Sequence, residues 1–535
     1  MVQVFMILAQ YTIRSKQNYI FRSNKIQEIT GGSAIIRDVF GILFRKAREC
    51  GLIVETLNDT RVSRDFKLEN VKERFKNQTL HLIELFTGGG NETVLYSDEI
   101  SFQRANRAYT YHLTKEYPGL IPLCVGIPVD GDPNCYKRDY ASLMEAVEIE
   151  KNKMLPGCLM PMMPFSEMDR STQQPISYKD RVHKISRSQE AQVKYEVGNK
   201  EKKEDDFAKL LDDIVTEKGE ESLLAIVHAD GNNMGVKIQH LLDGHSDYDF
   251  CVSAMRRFTE NINNAFVKTG IAGIKNELEI LKKEDKGRHP KCYQYRVIVS
   301  DGDDVTFVCN ARFALALTKA YLKAVASYGI SHNTDGNEET YSSCAGICVF
   351  HSHYPFSRAY ELAEQACDLA KKPVHETLLQ TDSRGNPVPE EECWLDFHFL
   401  HSGVACELED IRDRQDTASC MARPWRVTGN GRHTGGRDFD ILKFDETVNL
   451  WKSCGGSRAN IKDIGNSFEQ STADGEYELS RVYYRYAEME EKLKGIFEDE
   501  NRLYKTLYDA SEMYDIWFGG KEPVKNEKTE NNITQ

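Results

Sequence analysis

No apolar run in the 535-residue chain approaches the roughly 20 consecutive residues that a membrane-spanning helix needs. The first residues, MVQVFMILAQYTIRSKQ, also lack the basic start, the long apolar segment and the cleavage site of a secretory signal peptide. These absences argue against a secreted protein and against one embedded in a bilayer. We therefore expect a cytoplasmic protein without a membrane partner.

The 14 cysteines include no CxxC pair, the spacing that is typical of zinc knuckles. Cys344 and Cys348 are separated by AGI on a predicted strand, so we expect reduced, mostly buried thiols and no zinc. Basic charge is also scarce, since 69 Lys and Arg residues face 83 Asp and Glu residues and leave a formal charge of -14. That balance argues against a chain whose main task is to hold a nucleic-acid backbone, although a local basic groove is compatible with it.

The most informative segment is residues 295–310, YRVIVSDGDDVTFVCN. Two short apolar runs flank Asp301-Gly302, a dipeptide that favours a tight turn, and so predict a β-hairpin. Asp303 and Asp304 follow at once, which puts three carboxylates within four residues, where like charges repel. A solvated acidic turn is one interpretation. The other is a cation site, because Mg²⁺ prefers oxygen ligands together with substrate phosphates.

Upstream of this hairpin, the apolar run LLAIV at residues 223–227 predicts a strand that is buried on both faces. Asp230 follows at its carboxyl end, where open α/β sheets bind ligands. A helix, the hairpin, a second helix, a strand and a third helix are predicted next, and this β-α-β-β-α-β order is ferredoxin-like. In that topology the first strand lies beside the hairpin, so Asp230 is expected to approach Asp303 and Asp304, as in a two-metal phosphoryl-transfer site. Asp304 is the weaker candidate, because on a regular strand it faces away from Asp303 unless the turn twists.

An internal repeat predicts a similar unit in the first half of the chain. The tripeptide KIQ occurs at residues 25–27 and again at 237–239, and each copy leads to a helix and an apolar hairpin. The hairpin of the first unit has a glycine-rich turn, Gly88, Gly89, Gly90 and Asn91. The first strand of that unit has no aspartate in the place of Asp230. A chance tripeptide match is the alternative. We expect the second unit to carry the chemistry and the first to help bind substrate.

A Gly-Gly-Ser segment, Gly31, Gly32 and Ser33, is predicted to open a helix in this first unit. Free backbone N–H groups and a hydroxyl at such a place commonly hold a phosphate. An ordinary serine cap after flexible glycines is equally compatible with the pattern.

These motifs together resemble the large polymerase/cyclase subunit of type III CRISPR effector complexes, or a stand-alone relative. The resemblance rests on QNYIFRSNKIQEITGGSAII and GGGN in the first half, and on HADGNNMG, SDGDD and SCAGICVFHSHYPFSRAYELAEQACDLAKK in the second. It implies an α+β protein with two ferredoxin-like palm domains, related to GGDEF-type nucleotide cyclases, and a mainly helical C-terminal domain. It also implies that the paired palms hold two ATP molecules, which the second palm joins into cyclic oligoadenylate with two Mg²⁺ or Mn²⁺ ions.

Carried across to this chain, the resemblance makes Asp230, Asp303 and Asp304 the catalytic and metal-binding carboxylates and Lys371 a triphosphate contact. The remaining nucleotide-binding candidates are Gly31, Gly32, Ser33, Gly88, Gly89, Gly231, Asn232 and Gly302. His228 lies near Asp230, but a single histidine at a strand end is more often structural, and we assign it no catalytic role.

The chain departs from the family pattern in several places. Asp301 replaces the first glycine of the usual GGDD turn, and Asn232 replaces the second acid of the usual DGD. The zinc-binding cysteines often found between the palms are absent, since Cys158 alone cannot form such a site. No His-Asp dipeptide occurs and the chain starts directly with the first palm, so we expect no nuclease domain and no DNA cleavage.

We predict a first, metal-free palm at residues 1–130 and a second, catalytic palm at 221–375. Residues 131–220 are expected to form an irregular linker or small subdomain with a charged helix, 376–520 a mainly helical domain, and 521–535 a disordered tail. The leading hypothesis is an enzyme that makes a signal nucleotide from ATP in antiviral defence, alongside crRNA-guided effector subunits and target RNA. The alternatives are a non-catalytic scaffold in such a complex and an independent cyclase outside CRISPR, which could act as a homo-oligomer.

Overall fold

The computed structural model describes residues 5–57, 65–153, 166–170, 172–180, 185–200, 214, 222–284, 293–331, 340–377, 391–400, 407–414, 419–429, 431, 436–497 and 499–517. None of the helices in these ranges is both long enough and apolar enough to cross a membrane. The predicted charged helix at residues 201–221, apart from residue 214, and the predicted tail at 521–535 lie outside the described residues.

The first sheet has five strands in the spatial order β2-β3-β4-β1-β5. Its elements are β1 (Met6–Arg14), α1 (Lys16–Phe21), α2 (Ile26–Glu49), β2 (Val54–Glu55), α3 (Leu68–Lys76), β3 (Leu82–Gly88), β4 (Asn91–Tyr96), α4 (Glu99–Glu116) and β5 (Ile121–Val129). Apart from the two-residue β2, this is the predicted β-α-β-β-α-β unit, with β1 between β4 and β5. We call β3, β4 and their turn the first hairpin.

The connection to the second sheet is more regular than predicted. It contains α5 (Tyr136–Lys153), a two-stranded sheet of β6 (Ile176–Asp180) and β7 (Ile185–Ser188), and α6 (Gln189–Lys200). The mixture of Met, Pro and polar residues that predicted an irregular linker spans residues 156–175, of which 156–165 and 171 lie outside the described residues. For 136–153 and 185–200 the prediction of irregular structure was wrong.

The second sheet has six strands in the order β13-β12-β11-β8-β10-β9. Its elements are β8 (Leu223–Gly231), α7 (Met234–Leu241), α8 (Tyr248–Ile262), a π-helical segment (Asn263–Thr269), α9 (Gly270–Glu284), β9 (Tyr295–Asp301), β10 (Asp304–Asn310), α10 (Ala311–Ser331), β11 (Ser343–His351), α11 (Phe356–Thr377), β12 (Cys393–Phe399), α12 (Leu408–Arg414) and β13 (Trp425–Thr428). The core order β11-β8-β10-β9 matches β5-β1-β4-β3 of the first sheet, so both units are ferredoxin-like. We call β9, β10 and their turn the second hairpin.

The remaining described elements are a short 3₁₀ segment (Arg437–Phe439) and the helices α13 (Ile441–Ser453), α14 (Arg458–Gln470), α15 (Thr472–Arg485), α16 (Ala487–Lys494) and α17 (Glu500–Met513). The region is helical as predicted, with one correction. The strands β12 and β13 lie beyond the predicted boundary at residue 375, yet they extend the second sheet, because β12 pairs with β11 in parallel. The three-residue KIQ match was also misleading in detail, since the first copy begins α2 whereas the second lies inside α7.

The two sheet units are packed directly against each other. Arg256 on α8 donates hydrogen bonds to the carbonyl oxygens of Leu85 (2.7 Å) and Glu84 (2.8 Å) on β3. At a second contact between the units, the Phe21 ring of α1 stacks on Tyr360 of α11 with centroids 4.0 Å apart. Buried residues of both units form one continuous apolar cluster. The two hairpins are therefore held at a fixed separation.

Gly31 illustrates how close packing fixes the arrangement. It lies inside α2, where α6 crosses it, and a Cβ atom there would overlap the backbone carbonyl of Lys194. Gly198 on α6 is equally tight against the carbonyl of Gln27. Because each glycine meets a backbone atom of the other helix, the rotation of a side chain cannot make room for an added methyl group.

Gly31→Ala is therefore expected to lower the free energy of unfolding by about 2–3 kcal/mol. Gly235→Ala is the matched control, because a Cβ atom at this exposed position of α7 would meet nothing within 4 Å. We expect that control to be neutral or to stabilise by up to about 1 kcal/mol. Denaturant unfolding compares the two variants, and equal stabilities would show that the α2–α6 contact is not close-packed.

Candidate functional site

A cavity of about 900 Å³ lies between the two hairpins. The turn of the first hairpin contributes Gly88, Gly89 and Gly90 to its wall, and the turn of the second contributes residues 301–304. Residues of α1 and α2 line one end, and residues of α8 and the following π-helical segment line another. The volume is at the upper end of the roughly 300–1,000 Å³ that small-molecule sites occupy.

The two turns lie close together, and both contain glycine. Gly89 and Gly302 have φ values of 58° and 67°, in the left-handed region that favours glycine. A Cβ atom at Gly302 would lie 3.5 Å from the backbone nitrogen of Gly89. The aspartate–glycine pair predicted the second turn correctly, and its meeting with the first turn is a property of the tertiary structure.

Asp230 and the second hairpin converge as predicted. Val305 on β10 pairs with Ala229 on β8, so Asp304 and Asp230 are the next residues toward the same edge of the sheet. Directly opposed residues of antiparallel strands have Cβ atoms about 4.5–5.5 Å apart. Asp303 occupies the turn, and its Cβ atom lies 2.8 Å from the place where Gly231 would carry one. A glycine at 231 is thus needed for Asp303 to approach β8.

The electrostatics of this group show how close the carboxylates are. Burial, followed by the charge of Asp230, raises the pKa of Asp303 from 3.8 to about 7. Burial and then Asp230 and Asp301 raise the pKa of Asp304 to about 8, against the opposing effect of Lys16 and Lys371. Burial raises the pKa of Glu364 on α11, and Asp368, Asp304 and Asp230 raise it further. The group therefore favours protons, or another cation, at its centre.

Whether the acids fit divalent ions depends on their partners. Asp304 has a buried Oδ1 atom without a hydrogen-bond partner, 3.4 Å from Nδ1 of His228. Carboxylate oxygens are suitable ligands for Mg²⁺ or Mn²⁺, and an unpaired one is available here. In the described part of the chain, however, no three His, Cys, Asp or Glu side chains are already arranged around one metal position. The donor atoms fit the ions in type, and metal binding requires side chains to turn.

Lys371 is the direct partner of Asp230. Its ammonium group forms an ion pair with Oδ2 of Asp230 and donates a 3.2 Å hydrogen bond to the carbonyl oxygen of Gly231. Burial acts to lower the pKa of Lys371, but Asp230 raises it above its usual value. Lys371 therefore lies beside the carboxylates, where it neutralises Asp230. Its contact with a triphosphate remains a prediction.

Asn232 does not face the carboxylates. Its Nδ2 donates hydrogen bonds to Oγ of Ser342 (3.0 Å) and to the carbonyl oxygen of Glu392 (2.9 Å), and the residue is only 1% exposed. Because both acceptors need a donor, an aspartate here would leave them unsatisfied. The replacement that distinguishes Asn232 from the family pattern thus serves the contact between β11 and the start of β12, and the geometry argues against its assignment to a nucleotide.

The expectation that Gly31, Gly32 and Ser33 open a helix was wrong. All three lie in the second and third turns of α2, so their backbone N–H groups bond within the helix. Gly31 and Gly32 are packing positions against α6 and α1, away from the cavity. Ser33 does line the cavity, and its hydroxyl donates to the carbonyl oxygen of Ile298 on β9.

The predicted residues thus fall into three groups. The described residues that line the cavity include Ser33, Gly88, Gly89, Gly302, Asp303 and Asp304. Asp230, Gly231 and Lys371 lie beside them at the end of β8. Gly31, Gly32 and Asn232 serve packing. Sequence reasoning missed Lys16, Arg37, Arg256 and Glu364, because only the fold brings them to the site.

Comparisons with known proteins agree with this architecture. Residues 223–377 match the family model described as Cas10/Cmr2, second palm domain. The structure of Csm1 in T. onnurineus is similar with a TM-score of 0.51 at 12% identity, over 96% of this chain and 69% of that one. At this identity the likeness shows the fold alone.

Two further structures are less similar. A Csm1-Csm4 cassette in complex with cA4 has a TM-score of 0.49 at 11% identity, over 95% of this chain and 70% of that one. A cassette in complex with one ATP has a TM-score of 0.42 at 12% identity over 69% of this chain, which spans about half, 53%, of that chain. No curated protein matches the sequence.

The raised pKa values predict how stability changes with pH. The folded protein holds a proton on Asp304 up to about pH 8, whereas the unfolded chain releases it near 3.8, so folding becomes less favourable as pH rises through this interval. Asp304→Asn removes the penalty, and we expect it to stabilise the metal-free protein by about 2 kcal/mol at about pH 8.5 and by little at about pH 4.

Asp243→Asn, at an exposed position, is the control and should show no such pH-dependent gain. Denaturant unfolding in the presence of a chelator at both pH values measures the difference. A gain that is the same at both pH values would contradict the protonated state of Asp304.

Proposed function

Because residues 223–377 match the family model of the Cas10/Cmr2 second palm domain, we propose that this protein is a nucleotidyltransferase that joins ATP into a cyclic oligoadenylate-type signal nucleotide in type III CRISPR-like antiviral defence. The observation that carries the proposal is the convergence of Asp230, Asp303 and Asp304 beside a cavity that two palm units share. A site for joining two nucleotides needs room for both and a cluster of carboxylates at one of them.

The cavity has walls suited to nucleotides. Its lining includes the polar residues Lys16, Ser33 and Arg37 of the first palm and the apolar residues Ile36 and Phe40. Cationic and hydroxyl groups are typical phosphate partners, and an apolar wall accommodates a base. Only the second hairpin carries carboxylates in its turn, so we propose that a nucleotide over the first hairpin is held and that one over the second reacts.

The carboxylates have separate roles in this proposal. When bound, two divalent ions held by Asp230, Asp303 and Asp304 would supply charge stabilisation for the triphosphate and the departing pyrophosphate. Lys371 forms an ion pair with Asp230 and compensates its charge until substrate enters. His228 lies between Thr306, to which its Nδ1 is hydrogen-bonded at 3.1 Å, and Tyr360, and so limits the rotation of Asp304.

A non-catalytic scaffold in an RNA-guided complex is the second candidate. The pairing of Asp230 with Lys371 favours it, because a lysine that stayed there would occupy a ligand position permanently. Calorimetric titration with ATP and Mn²⁺ separates the two candidates, since a scaffold with a closed site binds no additional Mn²⁺ in the presence of ATP.

The enzymatic proposal predicts products from ATP. With Mg²⁺ or Mn²⁺, and with target RNA where it is required, wild-type protein is expected to release pyrophosphate and form adenylate oligomers. The double variant Asp303→Ala/Asp304→Ala should lose at least about 100-fold of this rate, because it removes two carboxylates from the cation site. Mass spectrometry of reactions with all four nucleoside triphosphates identifies the base and the product.

The matched control for that experiment is Asp243→Asn, which removes an exposed carboxylate and should leave the rate unchanged. Identical products and rates from wild type and from the double variant would show that the second hairpin is not the catalytic centre.

A further inference from the structure

Lys16 lies where the two hairpins meet. It is the first residue of α1, and its ammonium group reaches the carbonyl oxygens of Gly89 (3.3 Å) and Gly90 (3.1 Å) in the first turn. The same group lies 3.4 Å from Oδ2 of Asp301 in the second turn. All three distances exceed the roughly 2.7–2.9 Å of a strong charge-assisted hydrogen bond. Lys16 is therefore held by several weak contacts.

Gly90 makes room for this pair. Its φ is 66°, and a Cβ atom there would overlap Nζ of Lys16 and lie 2.5 Å from Oδ2 of Asp301. The lysine and the aspartate thus occupy the space that a side chain at residue 90 would fill, on the wall of the shared cavity. Their position in the cavity wall puts the ammonium group within the volume available to a ligand.

We propose that Asp301 acts as an internal competitor that holds Lys16 in the resting protein, and that Lys16 moves to a phosphate group when a nucleoside triphosphate enters the cavity. This inference rests on the proposed function and adds a specific exchange of partners to it. The carboxylate of Asp301 thereby weakens nucleotide binding, and the two residues together set the affinity of the site.

The exchange is favoured by charge and by exposure. The Lys16 side chain is 24% exposed and that of Asp301 is 39% exposed, and an ion pair that is open to water to this extent contributes little to stability. A triphosphate carries several negative charges and many acceptor oxygens, so it competes well with one carboxylate. Ser15, Gln17 and Arg37 line the same end of the cavity and offer further polar contacts there.

A double-mutant cycle on ATP binding tests the inference. ATP is titrated calorimetrically into the full chain, with and without Mg²⁺, for wild type, Asp301→Asn, Lys16→Met and the double variant. Asp301→Asn is expected to bind ATP about fivefold more tightly, and Lys16→Met at least about fivefold more weakly. The gain from Asp301→Asn should largely disappear when Lys16 is Met, because no lysine is left to release.

Two controls remove simpler explanations. Glu260→Gln takes another carboxylate from the cavity wall, and its effect on ATP affinity should be the same with Lys16 or Met at position 16. Lys16→Arg keeps the charge and should retain most of the affinity. If Lys16→Met does not fold, Lys16→Gln takes its place in the cycle.

Weaker ATP binding by Asp301→Asn would show that the Lys16–Asp301 pair stabilises the site structurally, and it would overturn the inference. The inference would also be overturned if Asp301→Asn increased ATP affinity by the same factor with Met at position 16 as with Lys. An absence of ATP binding to wild type would overturn it as well. Tighter binding by Asp301→Asn without any product from ATP would support the exchange while refuting the proposed enzyme. If the protein forms product from ATP but Asp301→Asn binds ATP as tightly as wild type does, the proposed enzyme is supported and the exchange is refuted.

Discussion

Mutual repulsion among partly buried carboxylates is the constraint on which the rest of the site depends. Asp230, Asp303 and Asp304 meet at one edge of the second sheet, and the pKa values of Asp303 and Asp304 rise because burial and neighbouring carboxylates disfavour ionisation. Lys371 relieves part of the repulsion from one side through Asp230, and Lys16 acts from the other through Asp301. The cost of assembling these charges is consistent with a site that a cation completes.

The two palms share one fold but differ in the residues at corresponding strand positions. Thr12 pairs with Asn91 in the first sheet, at the place that Asp230 and Asp304 occupy in the second. Identical strand orders therefore present two neutral residues in one unit and two acids in the other. Arg256 fixes the units to each other through backbone carbonyls, so the glycine turn of one palm is held against the acidic turn of the other.

Local chemistry determined what could be predicted from the chain. The run LLAIV and the Asp301-Gly302 turn encode a buried strand and a hairpin within a few residues, and the order of elements then implied the approach of Asp230 to the turn. Long-range contacts are not encoded in this way. From the sequence alone, Gly31 is interpreted as a residue of a turn, and only the packing of α6 against it explains why glycine is needed inside α2. Lys16 has no distinctive neighbours in the sequence that would indicate its contact with Gly90. From the sequence, Asn232 is interpreted as a neutral replacement for a metal ligand, whereas the structure shows that it is hydrogen-bonded to Ser342 and Glu392.

The central claim is that the carboxylates at the end of β8 and in the second turn share divalent ions at a nucleotide. Anomalous diffraction from crystals grown with ATP and Mn²⁺ tests it most directly. The account predicts manganese peaks bridged by Asp230, Asp303 and Asp304, with Lys371 displaced from Asp230 toward phosphate. A nucleotide-bound crystal in which the Lys371–Asp230 pair is intact and no manganese lies at these carboxylates would contradict it.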